Sequence, residues 1–430
     1  MGYQKIKGTL DFIGIDAMKR RYVEGVSRSV MKSYNISEII TPVFEQTEVF
    51  NRSSGESSDI VTKEMYTFLD KGNRSITLRP EGTASIIRAF LENKLYALPG
   101  VKKYFYNLPM YRYERPQAGR YREFVQFGVE FFGEESYMLD ADIILLGDMI
   151  LKKLGLKDKY KIVVNTIGDL ESRNNYQKAL KQYFSDKIDL LCEDCKKRLD
   201  KNPMRILDCK VDKDNPVLLN APKIRDYLNE NSKEYFENLL KVLDYLHIEY
   251  EVDSSLVRGL DYYTDTVFEF ISKGDENDPV SSLKNVAILA GGRYSGLTKT
   301  LGGPDIPGIG FAFGVERVTN LLDYYNLLPE FEGSVDICLL SLDPESKNYC
   351  LDIARCLREE GFVCEIDYIN NSLKPQFKLA ERVNARYIGI AGETERLNSS
   401  INIKCPKTGK QETISVKELI NYIKENKGDA

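Results

Sequence analysis

MYRYERPQAGRYREFVQFGVEFFG, residues 110 to 133, decides the fold. Two alternating runs flank a polar loop, the pattern of an antiparallel hairpin. Strand side chains alternate from face to face. In the second run Val125, Phe127, Val129 and Phe131 therefore share a core face. Arg122, Phe124, Gln126, Gly128 and Glu130 share the other. Gly128 removes bulk between Gln126 and Glu130, as where a ligand approaches the backbone. Antiparallel pairing brings Arg112 and Glu114 of the first run to that same polar face. The loop adds Arg115 and Arg120. A guanidinium donates two parallel hydrogen bonds and suits phosphate. The segment reads either as a platform with an acyl-side pocket (Gln126, Glu130) and a phosphate clamp (Arg112, Arg120), or as an exposed hairpin with charges on its wet side.

A second alternating strand, PGIGFAFGVERVTNLL, spans residues 307 to 322. Gly308, Gly310, Ala312 and Gly314 fall on one face, leaving a flat surface against which a planar ring could lie. Close sheet–helix packing is the other reading of the same glycines. The pattern then turns helical, with Arg317 in the first turn. VRGLDYYTDTVFEF (257 to 270) supplies Arg258, Tyr262 and Tyr263, and AGGRYSGL (290 to 297) supplies Tyr294. LRPEGTASIIRAF (78 to 90) reads as a strand end, a turn and a helix. Glu81, Gly82 and Thr83 then stand at the helix start, where Thr caps well and a carboxylate is exposed. Residues 139 to 154 form a helix whose stripe of Leu139, Ile143, Leu146, Ile150 and Leu154 is core.

Three blocks follow. Residues 1 to 325 are rich in alternation and glycine, and 172 to 252 within them are Lys- and Asn-rich, mostly helical and read as an insertion. After the turn-like PEFEG, residues 333 to 430 alternate strand and helix, the mark of a small α/β domain. A length of 430 residues suits two or three domains. No run of about 18 apolar residues and no signal peptide is evident. Eight Cys in such a chain are expected as reduced thiols in the cytoplasm. The net charge of −5 is not that of a protein gripping nucleic acid by charge alone.

Other chemistries find no support. There is no GxxxxGK[ST] loop, no dinucleotide fingerprint and no kinase set. A single histidine, His247, argues against a triad or a His-based zinc site. Cys192, Cys195 and Cys209 open like a zinc motif, but no fourth ligand is recognisable beside them, and no metal site is expected.

Together these segments resemble the histidyl-tRNA synthetases, over nearly the whole chain. GTLDF and IITPVFEQTEVF (39 to 50) look like the opening and first motif of the second structural class of aminoacyl-tRNA synthetases. RYERPQAGRYREFVQFGVEFFG and GIGFAFGVERV look like its second and third motifs. LVRGLDYYTDTVFEF and AGGRYSGL are similar to segments peculiar to the histidine enzymes. In the last, Ser295 stands where the family usually has Asp, which puts the role of that Asp in doubt here.

The resemblance implies an α+β protein. Its catalytic domain is an antiparallel sheet flanked by helices, with a helical insertion and a C-terminal α/β anticodon-binding domain. It implies ATP as substrate, Mg²⁺, histidine and tRNA(His) as partners, and a homodimer joined through the first motif. Carried over by position, Glu81, Gly82, Thr83, Gln126, Glu130, Tyr262, Tyr263 and Tyr294 would hold histidine. Arg112, Glu114, Arg120 and Arg317 would hold ATP, and Arg258 would act at the α-phosphate. A pocket meeting both imidazole nitrogens needs no editing domain. The nearest alternative is an inactive paralogue serving as the regulatory subunit of ATP phosphoribosyltransferase. Such chains generally lack the anticodon domain and degrade the histidine-specific segments, both present here.

Overall fold

The computed structural model describes residues 2–425, apart from 56, 57, 59, 117, 118, 210, 213, 258–261, 275–284, 332–334, 370 and 371. The chain divides into two compact units, Met1–Leu328 and Pro329–Ala430.

The first unit is built on a sheet that holds eight strands among the described residues, in the order β1-β5-β6-β11-β10-β9-β7-β8. They are β1 (Ser37–Glu38), β5 (Lys102–Tyr111), β6 (Glu123–Phe132), β7 (Tyr160–Thr166), β8 (Glu251–Val252), β9 (Tyr263–Ser272), β10 (Ala287–Tyr294) and β11 (Gly308–Gly314). The short edge strands β1 and β8 pair in parallel and the central ones antiparallel. A small second sheet joins β2 (Phe44–Gln46), β4 (Ser75–Leu78) and β3 (Tyr66–Leu69).

Alternation sorts the large sheet into two cores. Val125, Phe127, Val129 and Phe131 are at most 4% exposed and join one cluster with the helix Tyr137–Lys153. Phe105, Phe127 and Phe313 stack across three neighbouring strands with ring centroids 5.5 and 5.3 Å apart. Such offset pairs add about 0.5–1.5 kcal/mol each beyond their burial. The opposite face packs on the helix Thr83–Glu92 and on the helices Leu170–Ser185 and Glu193–Lys201.

The apolar residues of the first motif, residues 39 to 50, divide between core and surface. Phe50 is fully buried within the helix Thr47–Ser54 and does not contribute to an apolar surface. Ile40, Val43 and Phe44 remain 73%, 39% and 54% exposed. Arg79 ties this motif down, donating to the carbonyls of Thr41, Pro42 and Pro109 at 2.7–2.8 Å.

The second unit is a sheet ordered β13-β12-β14-β15-β16. Parallel β12 (Ile337–Ser341), β13 (Cys364–Ile366) and β14 (Tyr387–Ala391) alternate with the helices Pro344–Glu359 and Leu373–Arg382. The antiparallel hairpin β15 (Ser400–Lys404) and β16 (Gln411–Ser415) completes it and was not anticipated. No helix among the described residues is long and apolar enough to cross a membrane.

Candidate active site

The polar face of the central strands carries the site. Glu130 on β6 is 2% exposed. Its carboxylate accepts from Thr83 Oγ1 at 2.7 Å and from the Tyr294 hydroxyl at 2.7 Å. Burial lifts this carboxyl to about 8, outweighing the two donors, which pull it down. Glu81 lies behind Thr83 and receives the backbone N–H of Thr83 and Ala84 at 2.8 and 2.9 Å. It is therefore Glu81, not Thr83, that caps the helix Thr83–Glu92, and Glu81 is buried rather than exposed. Burial also raises the Glu81 carboxyl. Tyr262, Tyr263 and Tyr294 form an aromatic wall, with centroids 4.6 Å apart for the first two and 5.7 Å between Tyr262 and Tyr294. Burial raises the Tyr262 and Tyr294 hydroxyls well above the ordinary tyrosine range.

Two glycine readings change. The space above Gly128 is filled by Tyr106, since a Cβ at Gly128 would stand 2.2 Å from Tyr106 Cζ. A Cβ at Gly82 would meet the same ring at 2.3 Å, so two glycines cradle one tyrosine. Tyr106 pairs directly opposite Gly128 in the hairpin ladder. Sequence reasoning missed it, although counting the register across the loop finds it. On β11 the flat strip is half occupied. A Cβ at Gly308 would strike the Tyr294 ring at 2.3 Å, and one at Gly310 would strike Glu130 Oε2 at 2.2 Å. Only the Ala312–Gly314 end stays open, with Arg317 Cβ the nearest atom to a Cβ on Gly314 at 3.7 Å.

Next to that open end three guanidinium groups gather. Arg112 donates to the Pro80 carbonyl at 2.7 Å, and both Arg112 and Arg120 lie near Glu114, at 3.7 and 3.6 Å. Arg317 donates to the carbonyls of Ala287 at 2.7 Å and Gly119 at 3.3 Å. Burial, then repulsion from Arg120 and Arg112, holds the Arg317 guanidinium below its usual value, against the pull of Glu114 and Glu269. Gln126 pairs opposite Gly314, and its side-chain oxygen is buried without a partner among the described residues. Of the residues expected at the site, Arg258 lies outside the described residues. Ser295 receives the Thr264 hydroxyl at a long 3.4 Å.

Two supports were not foreseen. Arg293 is fully buried on the face opposite Tyr294 and forms an ion pair with Asp140. Asp140 also accepts from Thr266 and Tyr235 at 2.6 and 3.1 Å. A charged residue inside an apolar helix stripe was the available signal. Arg173 of the helix Leu170–Ser185 donates to the Tyr263 carbonyl at 2.7 Å.

A mixed, largely antiparallel sheet with an acidic pocket and an arginine cluster on one face is the arrangement of the second class of aminoacyl-tRNA synthetases. The family model described as histidyl-tRNA synthetase matches residues 9–318, and that of the anticodon binding domain matches 336–426. The histidine–tRNA ligase of Bacillus licheniformis is 46% identical over 427 residues, 99% of each chain. That of Halothermothrix orenii is 48% identical over 421 residues, 97% of this chain and 98% of the other. The crystal structure of apo S. aureus histidyl-tRNA synthetase superposes with a TM-score of 0.83 at 38% identity, covering 98% of this chain and all of that one. The chain belongs to the histidyl-tRNA synthetase family.

Proposed function

We propose that this chain is a histidine–tRNA ligase. Histidine and ATP give histidyl-adenylate and pyrophosphate, and histidine then passes to the 3′ end of tRNA(His). The observation that carries the reading is the juxtaposition of the Glu130–Thr83–Tyr294 pocket with the Arg112–Arg120–Arg317 cluster beside the open Ala312–Gly314 surface. Glu130 and a tyrosine hydroxyl meet the two imidazole nitrogens, and Glu81, Gly82, Thr83, Gln126, Tyr262 and Tyr263 complete the histidine side. Gln126 brings an acceptor without a partner among the described residues.

In the first step a histidine carboxylate oxygen attacks the α-phosphorus and the bond to pyrophosphate breaks. In the second a terminal ribose hydroxyl of the tRNA attacks the acyl carbon, and AMP leaves with the former carboxylate oxygen. No protein nucleophile is required. The barrier to the first step is anion–anion repulsion, which fixed cations offset. Arg112, Arg120 and Arg317 supply them along the phosphates, with Glu114 holding the first two apart and in place, and Arg258 acts at the α-phosphate. Mg²⁺ bound with ATP adds further positive charge. Glu114, 3.7 and 3.6 Å from the Arg112 and Arg120 guanidinium groups, would be a carboxylate available to that ion, which needs one or two carboxylates plus phosphates.

Residues 1–325 form the catalytic domain in this reading, 172–252 its insertion and 333–430 the anticodon-binding domain. Free cysteines throughout suit a reducing compartment, and the cytoplasm is the proposed site of action. The regulatory-paralogue reading is disfavoured by full-length relatives that carry the ligase name at 44–48% identity. Histidine-dependent exchange of pyrophosphate into ATP, followed by charging of purified tRNA(His), tests the proposal. An absence of exchange in folded protein overturns it. Glu130→Gln is expected to raise KM for histidine more than KM for ATP, and equal effects would point to a structural role for Glu130.

A further inference from the structure

Among the described residues, one group of potential metal ligands stands outside the active site. Cys192, Cys195, Cys209 and Asp212 each bring one ligand atom to within 4.8 Å of all the others. Sequence reading stopped at three thiols because the fourth group is a carboxylate. Asp212 stands three residues after Cys209, repeating the spacing of Cys192 and Cys195.

The geometry is that of a coordination shell. Cys192 Sγ and Cys209 Sγ are 3.6 Å apart, and Cys209 Sγ is 3.5 Å from Asp212 Oδ2. A tetrahedral ion with metal–sulfur bonds of about 2.3 Å and a metal–oxygen bond of about 2.1 Å spaces its ligands about 3.8 Å (S to S) and about 3.6 Å (S to O). Backbone groups support the anionic forms. The Cys192 N–H donates to Asp212 Oδ2 at 2.9 Å and the Asp212 N–H points at Cys209 Sγ at 3.5 Å. Cys192 and Cys195 sit at the start of the nine-residue helix Glu193–Lys201, whose N-terminal dipole favours thiolates.

The surroundings give such an ion work to do. Between the helices Leu170–Ser185 and Glu230–Tyr245 the regular elements are short, that nine-residue helix and pieces of three or four residues. Cys195 and Cys209 are buried at 0% and 4% exposure in the same apolar cluster as Met204 and Ile206. Short elements around a small core are where a structural metal substitutes for packing.

We propose that Cys192, Cys195, Cys209 and Asp212 bind one zinc ion that staples the inserted segment. Binding displaces protons from the three thiols, and three thiolates with a carboxylate complete a closed tetrahedron with no open position, so the site is structural.

The test is metal analysis of the full chain, purified without a polyhistidine tag and under thiol reductant. About one zinc per chain is expected, and Cys192→Ser or Asp212→Ala should weaken retention against a chelator at least about tenfold. Cys356→Ser in the second unit should leave it unchanged. Should the variants aggregate, cobalt substitution of the parent chain reads the site directly through thiolate-to-cobalt charge-transfer absorption. Three results overturn the proposal: no zinc taken up on reconstitution, zinc kept in a Cys192→Ser/Cys209→Ser double variant, or cobalt bound without a thiolate band. A metal-free cluster of thiols hydrogen-bonded to Asp212 gives the first of these.

Discussion

Glu130 combines two properties that pull against each other. It receives two hydroxyl donors, yet burial lifts its carboxyl to about 8. Its folded value therefore lies above the unfolded one near 4.5, and the folded state prefers the protonated form. That contribution is fully present below about pH 4.5 and is lost as pH rises through about 8. Thermal melting of the ligand-free protein should show wild type losing stability relative to Glu130→Gln across this window, by on the order of 5 kcal/mol when complete. Parallel pH profiles would remove the assignment. Gly310 tests the same pocket from the next strand. Gly310→Ala forces a methyl against Glu130 Oε2 and the Val129 carbonyl at 2.2 and 2.3 Å. Exchange assays should find histidine binding impaired, and melting should show a loss of about 1–3 kcal/mol. Arg258→Ala should lower adenylation by about two powers of ten, the scale of a lost transition-state donor, with little change in melting. Unaltered exchange kinetics would remove Arg258 from the proposed mechanism.

At the scale of elements, what could be read in advance followed the period of the pattern. The apolar face of β6 was legible because alternation over ten residues leaves one solution, whereas its partner strand, expected to run through Arg112 and Glu114, is Lys102–Tyr111 and ends before them. The meeting of the Glu81–Thr83 helix start with Glu130 and Tyr294 was legible only through resemblance, since the three lie on separate elements whose adjacency no local pattern encodes. Asp140 left a signal, a charge inside an apolar helix, but its pairing with Arg293 was not legible. Each is a charge inside an apolar element, and only the fold reveals that they meet. Their pairing clamps β10 to the helix Tyr137–Lys153 and so fixes the strand that presents Tyr294 to Glu130. Arg293→Ala strands a buried carboxylate and should cost about 3–5 kcal/mol. Removing both partners, in Asp140→Ala/Arg293→Ala, should cost less than the sum of the single changes. Chemical denaturation of the three variants measures this, and strict additivity would show that the pair is not coupled.

For the whole molecule, Ile40, Val43 and Phe44 are exposed, and Phe68, which lies on the same face of the small sheet as Phe44, is 47% exposed. An apolar patch of this kind marks an interaction surface, and a two-fold contact lets one copy cover the other. We propose a homodimer through this face. Light scattering at micromolar concentration should give twice the chain mass of 49.2 kDa, and Phe44→Asp should shift it toward one. A monomer mass with full activity would remove the proposal.

The distance along the chain between Glu130 and its partner Tyr294 has a consequence in time. They are 164 residues apart. At a synthesis rate of about 5–20 residues per second, Glu130 precedes Tyr294 by roughly ten to thirty seconds. Throughout that interval a growing polypeptide on the ribosome holds half a pocket, without Tyr294 or the β11 strand that seats Glu130. Unfinished and prematurely terminated chains therefore cannot hold histidine in this pocket, and the amino acid stays free for completed molecules.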